Sequence, residues 1–361
     1  MSYFYPFVHR VFFFAWMISL GFSFTPSANA QIVGDVFEYK IKRGDTLLGI
    51  GARFGVDAKL LARENGIALN ARLYIGQILK VDNRHLVPQW RQDGILINIP
   101  QRMLYLFREG RLVAYYPVGL GRPSWPTPVG RFAVRSKEVN KEWIVPKSIQ
   151  EEMLREGRQV VTRVPPGPDN PLGKYWIGLT APGYGIHSTL YPMSIYQFRS
   201  HGCIRLHPDD AEALYSQVKV GDSVEIIYQP VMIQRDDDGK VWLEAHRDVY
   251  NRGVDSWQEF LNAAYRLESL PRLDWTLATL GLKHTEGIAR RIDKVMPEKK
   301  EGGNDESATV SQVWSRGWGC RDLPGLVLLS RAQLKADQLA YWGVAAHRVL
   351  VQRALSLRGA S

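Results

Sequence analysis

The run Ser200-His201-Gly202-Cys203-Ile204-Arg205-Leu206 decides how the middle of this chain folds and where its chemistry lies. Ile204 and Leu206 flank Arg205, which predicts a short strand that buries its aliphatic face and presents a cation. Cys203 lies immediately before that strand. A thiol is nucleophilic only as thiolate, and a free pKa of about 8.5 leaves little thiolate at neutral pH. A reactive Cys203 therefore needs a base nearby.

Two histidines are candidates for that base, His187 and His201. His187 is preferred because the twelve residues 188–199 that follow it form a loop long enough to fold back over Cys203. His201 is expected to shape the loop and the oxyanion site. Gly202 lets the backbone approach a reacting carbonyl closely, so the amides of Gly202 and Cys203 are the candidate oxyanion donors.

The pattern Ser-His-Gly-Cys-x-Arg, with a histidine sixteen positions before the cysteine, resembles the signature of the L,D-transpeptidases. These are bacterial cell-wall enzymes with a small β-rich catalytic domain and a cysteine nucleophile. Ser188 stands where many members have glycine and is expected to orient His187. Arg205 stands where a common consensus has asparagine, although a large branch has arginine. The resemblance implies that Ser200 and Arg205 lie on the substrate side. The run 127–132, Thr-Pro-Val-Gly-Arg-Phe, also recurs in that family and is expected to be structural.

Residues 38–82 form a second recognisable unit, with the predicted order strand, helix, helix, strand. Asp45 or Thr46 can cap the first helix and Asp57 the second. The unit resembles a LysM module, which implies binding to glycan that contains N-acetylglucosamine, here peptidoglycan. The resemblance places the sugar groove at Gly44, Asp45 and Thr46 on one side and at residues 70–76 on the other. Simple helix capping is the alternative role of Asp45 and Thr46.

Residues 1–30 are predicted to be a cleavable signal peptide. His9 and Arg10 precede an apolar core at 11–20 that is too short to span a bilayer comfortably, and Ala28-Asn29-Ala30 offers small residues for cleavage. The mature chain would start at Gln31 and reach the periplasm. An uncleaved membrane anchor is the alternative.

Export would place Cys203 and Cys320 in an oxidising compartment, so a disulfide between them is the competing explanation of Cys203. The two cysteines lie in segments that are predicted to be separate domains, which argues against that bond. A second alternative is a purely structural role, in which Cys203 is a small buried hydrophobic residue, as lone cysteines often are. The role of Cys320 is not explained by the sequence.

The length of the chain indicates its number of domains, and its net charge indicates the class of partner. Its 361 residues suit two or three domains, and a net charge of +10 favours an anionic partner. No nucleic-acid-binding module is recognisable, so the wall or a membrane surface is preferred. No cofactor or metal is expected, since the Asp236-Asp237-Asp238-Gly239 run lacks the spacing of a calcium loop and is expected to be a solvated turn. The oligomeric state is not set by any feature of the sequence.

The predicted fold class is an α+β multidomain protein: a LysM βααβ module, a mainly β, sandwich-like catalytic domain and a partly helical C-terminal extension. Residues 83–92 are expected to be a polar linker. The catalytic domain is predicted at 92–230, mostly β with one helix from Pro208, and with a surface excursion at 137–173 that is interpreted as a lid on the cleft. Residues 231–296 are expected to form a hairpin and a helical subdomain, 297–308 a disordered linker and 309–361 a helical tail.

Together these features predict acyl transfer on the bacterial wall. By the resemblance, Cys203 attacks the carbonyl before the terminal D-Ala of a tetrapeptide stem, and the thioester passes to an amine of another stem or to a lysine of an outer-membrane lipoprotein. One rival is a wall cysteine carboxypeptidase or amidase that uses water. Papain-like wall hydrolases place the cysteine before the histidine along the chain, whereas His187 comes first here. The other rival is a wall-binding scaffold with an inert cysteine.

Overall fold

The computed structural model describes residues 30–89 and 92–294. The predicted signal peptide (apart from Ala30), the linker at 297–308 and the tail with Cys320 therefore lie outside the described residues. None of the helices within the described ranges combines the length and the apolar character that crossing a bilayer requires.

The first unit has the predicted β-α-α-β order, within two short added strands. Its elements are β1 (Ile32–Val33), β2 (Val36–Lys40), α1 (Leu47–Phe54), α2 (Ala58–Glu64), β3 (Ile78–Asp82) and β4 (His85–Leu86). Strands β2 and β3 pair antiparallel, with Tyr39 opposite Leu79. The helices begin and end for local reasons: Asp57 accepts a hydrogen bond from the N–H of Lys59, and Gly55 ends α1 in the left-handed conformation.

Thr46 and Asp45 have different roles at the start of α1. The hydroxyl of Thr46 accepts the N–H of Gly49 at 3.0 Å, so Thr46 is the helix cap. Asp45 instead accepts the Tyr39 hydroxyl at 2.8 Å and the N–H of Lys42 at 2.7 Å. Both of these bonds go to the same carboxylate oxygen, Oδ2. Asp45 therefore fastens the loop to the first strand.

The second unit is built on one eight-stranded mixed sheet. Its elements are β5 (Gly94–Asn98), β6 (Met103–Arg108), β7 (Arg111–Pro117), β8 (Leu120–Gly121), β9 (Gly130–Val139), β10 (Trp143–Ile144), α3 (Lys147–Arg155), β11 (Arg163–Val164), β12 (Tyr175–Leu179), β13 (Gly185–Ser188), a 3-10 turn (Pro192–Ser194), β14 (Phe198–Ser200), β15 (Ile204–Leu206), α4 (Pro208–Gln217) and β16 (Ser223–Ile227). The strand order is β15-β13-β12-β9-β16-β5-β6-β7, and β8 pairs separately with β14. Helix α4 buries Ala211 and Leu214 against the apolar core of this sheet.

The surface excursion is more ordered than the sequence predicts. Strand β9 continues to Val139, and α3 is a helix that the expectation of one helix in this unit missed. Ile149 and Met153 lie four residues apart on α3 and pack with Val145 in a small core of their own. Two apolar positions among lysines and glutamates are a weak helical signal, so the sequence alone does not predict this helix.

The third unit has a hairpin followed by helices, as predicted. Its elements are β17 (Val231–Arg235), β18 (Val241–Ala245), α5 (Ser256–Arg266), a 3-10 turn (Leu270–Arg272), α6 (Trp275–His284) and β19 (Arg290–Arg291). Strand β19 returns to pair with β18 and makes a three-stranded sheet. Phe260, Ala264, Ala278 and Leu282 pack on that sheet as a separate core. The Asp236 carboxylate accepts the N–H of Lys240 and the indole N–H of Trp242, which accounts for its place in the turn.

The expectation of a polar linker after residue 82 is wrong for the described residues up to 89. His85 and Leu86 are fully buried, and Val87 is nearly so. Glu244 of β18, also fully buried, satisfies the polar groups of this strand. It accepts hydrogen bonds from His85 Nδ1 at 2.8 Å and from the N–H of Leu86 at 2.6 Å. A buried hydrogen-bond partner from a distant part of the chain thus allows this segment to form an interior strand.

That carboxylate joins all three units. Glu244 also contacts His246 Nε2 at 2.8 Å and Gln101 Nε2 at 3.0 Å, while His85 Nε2 lies 2.9 Å from the carbonyl oxygen of Gly55. Both ring nitrogens of His85 thus face oxygen atoms, one from β18 and one from the end of α1. Burial works to raise the pKa of Glu244, but His85 and His246 outweigh it and lower the pKa to about 2.

Candidate active site

Strands β13 and β15 carry the predicted catalytic residues or lead directly from them. The two strands are parallel, with His187 opposite Arg205, so these two side chains share one face of the sheet. Cys203 comes immediately before β15, two residues from Arg205. The sulfur of Cys203 lies 3.7 Å from the carbonyl oxygen of Gly183. The charge of Arg205 acts on both His187 and Cys203, which places the three predicted residues near one another.

His187 is held in one orientation. Its Nδ1 lies 2.6 Å from the carbonyl oxygen of Ser188, and its ring stacks on Trp176 at 5.9 Å between centroids. A carbonyl can only accept, so Nδ1 carries the proton and Nε2 is the basic nitrogen. The contact of Ser188 with His187 is thus made by its backbone carbonyl. Its hydroxyl serves elsewhere, accepting the N–H of Tyr175 at 3.1 Å and donating to the carbonyl of Leu172 at 3.2 Å.

The electrostatics of the site keep both catalytic candidates neutral at rest. Burial, together with the charge of Arg205, lowers the pKa of His187 to about 4. Burial raises the pKa of the Cys203 thiol, and the Gly185 amide and Arg205 oppose that rise only in part. At neutral pH the pair is therefore thiol and imidazole, and the proton must move as the sulfur attacks.

Arg205 is half-buried beside this pair, and burial lowers its own pKa. Within the described residues its guanidinium makes no side-chain hydrogen bond or ion pair. A cation in that position is able to take an anionic group from outside the protein. This agrees with the substrate-side role that the family resemblance implies.

The loop between β14 and β15 is fixed by its own hydroxyl groups. Ser200 is buried, and its hydroxyl donates to the carbonyl of Cys203 at 2.6 Å and accepts the N–H of Gly202 at 3.1 Å. Thr127 donates to the carbonyl of Gly202 at 2.9 Å. Gly202 has a φ of +100°, and a Cβ there would lie 2.5 Å from the Tyr184 ring. Only glycine fits this close passage.

These contacts correct two of the sequence-based assignments. The hydroxyl of Ser200 is used inside the loop, so Ser200 positions Cys203 and does not face a substrate. The N–H of Gly202 is already donated to that hydroxyl, which leaves the N–H of Cys203 as the remaining candidate for an oxyanion. Thr127, expected to be structural, supports the loop directly.

His201 is tied to the excursion. Its Nε2 lies 2.5 Å from Glu152 of α3, and Trp125 meets its ring edge-on at 4.9 Å. Arg122 also pairs with Glu152. The bonds from Arg122 and His201 lower the pKa of Glu152 to about 2. His201 therefore links the loop to α3, and Glu152 is a contributor that sequence reasoning missed. No local pattern distinguishes Glu152 from its acidic neighbour Glu151.

The three glycan-contact candidates lie elsewhere. Gly44 and Thr46 are exposed, and Asp45 is half-buried. Thr46 Oγ1 is 3.9 Å from the sulfur of Met193, in the loop between His187 and Ser200. Cys203 is a free thiol. Its alternative disulfide partner, Cys320, lies outside the described residues.

Comparison with known proteins places both units. Residues 92–226 match the L,D-transpeptidase catalytic domain named YkuD, and residues 39–82 match the LysM domain. The probable L,D-transpeptidase ErfK/SrfK of Salmonella typhimurium is 32% identical over 62% of this chain and 74% of its own length. The probable L,D-transpeptidase YcfS of Escherichia coli is 31% identical over 64% of this chain and 75% of its own length.

A solved structure, L,D-transpeptidase 3 of Mycobacterium tuberculosis, is 20% identical over 43% of this chain and 76% of that one, with a TM-score of 0.30. The relatives from Salmonella and Escherichia exceed 30% identity over about three quarters of their own length. The chain is therefore an enzyme of the L,D-transpeptidase family that carries a LysM domain ahead of its catalytic domain.

Proposed function

We propose that this enzyme acts in the periplasm on peptidoglycan, where Cys203 attacks the carbonyl that precedes the terminal D-Ala of a tetrapeptide stem. One observation supports this above the others. An oriented His187 lies opposite Arg205 on paired strands, Cys203 comes two residues before Arg205, and that cation has no side-chain hydrogen bond or ion pair within the described residues. The predicted signal peptide and the LysM domain fit the same location.

In the first step His187 Nε2 takes the thiol proton while the sulfur attacks the carbonyl carbon. The N–H of Cys203 stabilises the oxyanion, and one such donor typically contributes about 3 kcal/mol. The C–N bond then breaks, His187 returns its proton to the leaving amine of D-Ala, and a thioester remains on Cys203. Gly202 keeps the backbone in the shape that points this N–H at the substrate.

In the second step an amine attacks the thioester, its proton passes to His187, and the thiolate leaves and recovers that proton. The amine is the side chain of another stem, which gives a 3→3 cross-link, or a lysine of an outer-membrane lipoprotein. Arg205 binds a carboxylate or carbonyl of the donor stem. The family resemblance favours both assignments, and the exposed loop residues Gly44 to Thr46 would hold the glycan.

The test is Cys203→Ala incubated with a disaccharide-tetrapeptide and analysed by mass spectrometry. The unchanged enzyme is expected to release D-Ala and to form dimers, and the variant to do neither. Circular dichroism and Ser216→Ala, an exposed serine in α4, control for folding. Dimers formed by Cys203→Ala would refute the nucleophile. Release of D-Ala without dimers from the unchanged enzyme would indicate the carboxypeptidase alternative.

A further inference from the structure

A cavity of about 690 Å³ lies between the LysM domain and the catalytic domain. One wall is the LysM sugar-loop region, including Asp45, Thr46 and residues 69–73. The opposite wall belongs to the catalytic domain and contains Arg102, Gln197 and Arg199. Cys203 does not line this cavity, so it is separate from the reaction centre.

The chemistry of the walls suits a sugar ring. A pyranose presents apolar C–H faces and a rim of hydroxyls, so it needs apolar contacts beside donors and acceptors. Leu48 and Leu69 line the LysM wall with 38% and 50% of their surfaces exposed. Arg199 and Gln197 supply donors from the facing wall, and Asp45 keeps Oδ1 as an acceptor because its two bonds use Oδ2.

Two arginines in the catalytic wall have donor capacity to spare. Arg199 is exposed, and within the described residues its side chain makes no hydrogen bond or ion pair. Arg102 lies with its guanidinium 3.9 Å from the Tyr196 ring, and its Nε is buried without a partner in the described residues. A buried polar atom without a partner is costly, and a ligand that reaches it would remove that cost.

The two walls are held at a fixed spacing. The 3-10 turn at Pro192–Ser194 packs against α1, where Met193 contacts Thr46. Below them, His85 bonds to the carbonyl of Gly55 at the end of α1 and to the buried Glu244. The cavity is therefore preformed, which reduces the entropy lost on binding.

The cavity and the catalytic loop are lined by adjacent residues of the chain. Arg199 lies in β14 and lines the cavity, while the next residue, Ser200, holds the carbonyl of Cys203 through its hydroxyl. A glycan in the cavity would thus contact the same short strand that positions the nucleophile.

We propose that the two domains form one saccharide site, in which Arg199 and Gln197 of the catalytic domain complete the sugar groove of the LysM domain. The ligand is a β-1,4-linked chain that contains N-acetylglucosamine. The stem peptide attached to that chain is then delivered toward Cys203. This inference rests on the proposed function, since it assumes that the LysM loops bind glycan.

The test is calorimetric titration of the full chain with soluble tetramers to hexamers of β-1,4-linked N-acetylglucosamine. Arg199→Ala is expected to weaken binding about tenfold, as loss of a charged hydrogen bond commonly does. Gln197→Ala is expected to weaken it less, and Asn70→Ala, on the LysM wall, to weaken it as well. Arg158→Ala removes another exposed arginine, one that does not line this cavity, and should bind as the unchanged protein does.

Each outcome decides the matter. If the unchanged protein binds and Arg199→Ala matches Arg158→Ala, the composite site is refuted and the LysM domain binds alone. If the unchanged protein does not bind, the composite site and the glycan role of the LysM domain both fail. Neither result bears on Cys203, because titration does not involve turnover, so a failure of the catalytic proposal would be recognised separately in the dimer assay.

Discussion

Two buried histidines in this molecule have opposite surroundings. At the junction of the three units, His85 uses both ring nitrogens, and the Glu244 carboxylate that it contacts accepts four hydrogen bonds. In the active site His187 bonds through Nδ1 to the carbonyl of Ser188. Arg205, directly opposite His187, lacks a side-chain partner within the described residues.

The difference separates structure from function. A buried network in which every group is paired holds its elements in one arrangement, because any change leaves a polar group unsatisfied. A site with unused donors and an unprotonated nitrogen keeps that capacity for a substrate. We expect changes at the junction to alter stability and changes at the active site to alter rate and pH dependence.

The largest expected effect is that of His187→Gln. The variant retains a polar side chain but has no basic nitrogen, so dimer formation should fall about 10²–10⁴-fold, the usual contribution of a general base. The measurement is the initial rate of dimer formation. His284→Gln, at an exposed histidine of α6, should match the unchanged enzyme.

If His187→Gln kept most of its activity while His201→Gln lost it, the assignment of the base would pass to the second histidine. That result would conflict with the bond from His201 to Glu152, which occupies Nε2 of the His201 ring.

Glu244→Gln tests the junction. Removing one charge from a buried, paired cluster typically costs about 3–5 kcal/mol, so the urea midpoint should fall accordingly. The folded pKa of about 2 also has a consequence for pH. The contribution of Glu244 is present above its unfolded pKa of about 4.5 and is lost as pH falls toward 2, so the variant should show a weaker loss of stability with acid.

Glu259→Gln, at an exposed glutamate of α5, is the matched control and should change stability by less than about 0.5 kcal/mol. Equal midpoints for the two variants would mean that the junction does not depend on its charge.

The sequence predicts the parts that depend on near neighbours. The caps at Thr46 and Asp57, the strand around Arg205 and the hairpin after Val231 all follow from local patterns. The pairing of His187 with Cys203 stays a prediction, which rests on the motif and its spacing.

Contacts between distant residues could not be predicted in this way. Glu244 lies 159 positions from His85, and Glu152 lies 49 positions from His201. Each is a charged residue, and a charged side chain on its own favours a solvated surface. For this reason the linker prediction is wrong and helix α3 is not predicted from the sequence. The burial of both segments depends on partners that no local pattern reveals.

The smallest expected effect concerns Arg205→Gln and the pH dependence of the site. Arg205 lowers the pKa of His187 and opposes the rise in the pKa of Cys203, so its removal should raise both values. The pH profile of Cys203 alkylation by iodoacetamide should therefore move upward, by less than the burial of the thiol itself moves it, since burial is the larger cause. The acid limb of turnover, which depends on neutral His187, should move the same way.

Arg205→Lys separates the charge of Arg205 from its geometry. If the charge at this position sets the pKa values, lysine restores the alkylation profile even where its shape binds the donor stem less well. If Arg205 acts only by holding a substrate carboxylate, neither variant shifts the alkylation profile, since iodoacetamide carries no carboxylate, and only the KM for the stem changes. An unshifted profile would mean that Arg205 serves substrate recognition alone. The contrast between the active site and the fully hydrogen-bonded junction around Glu244 would then concern binding and not proton transfer.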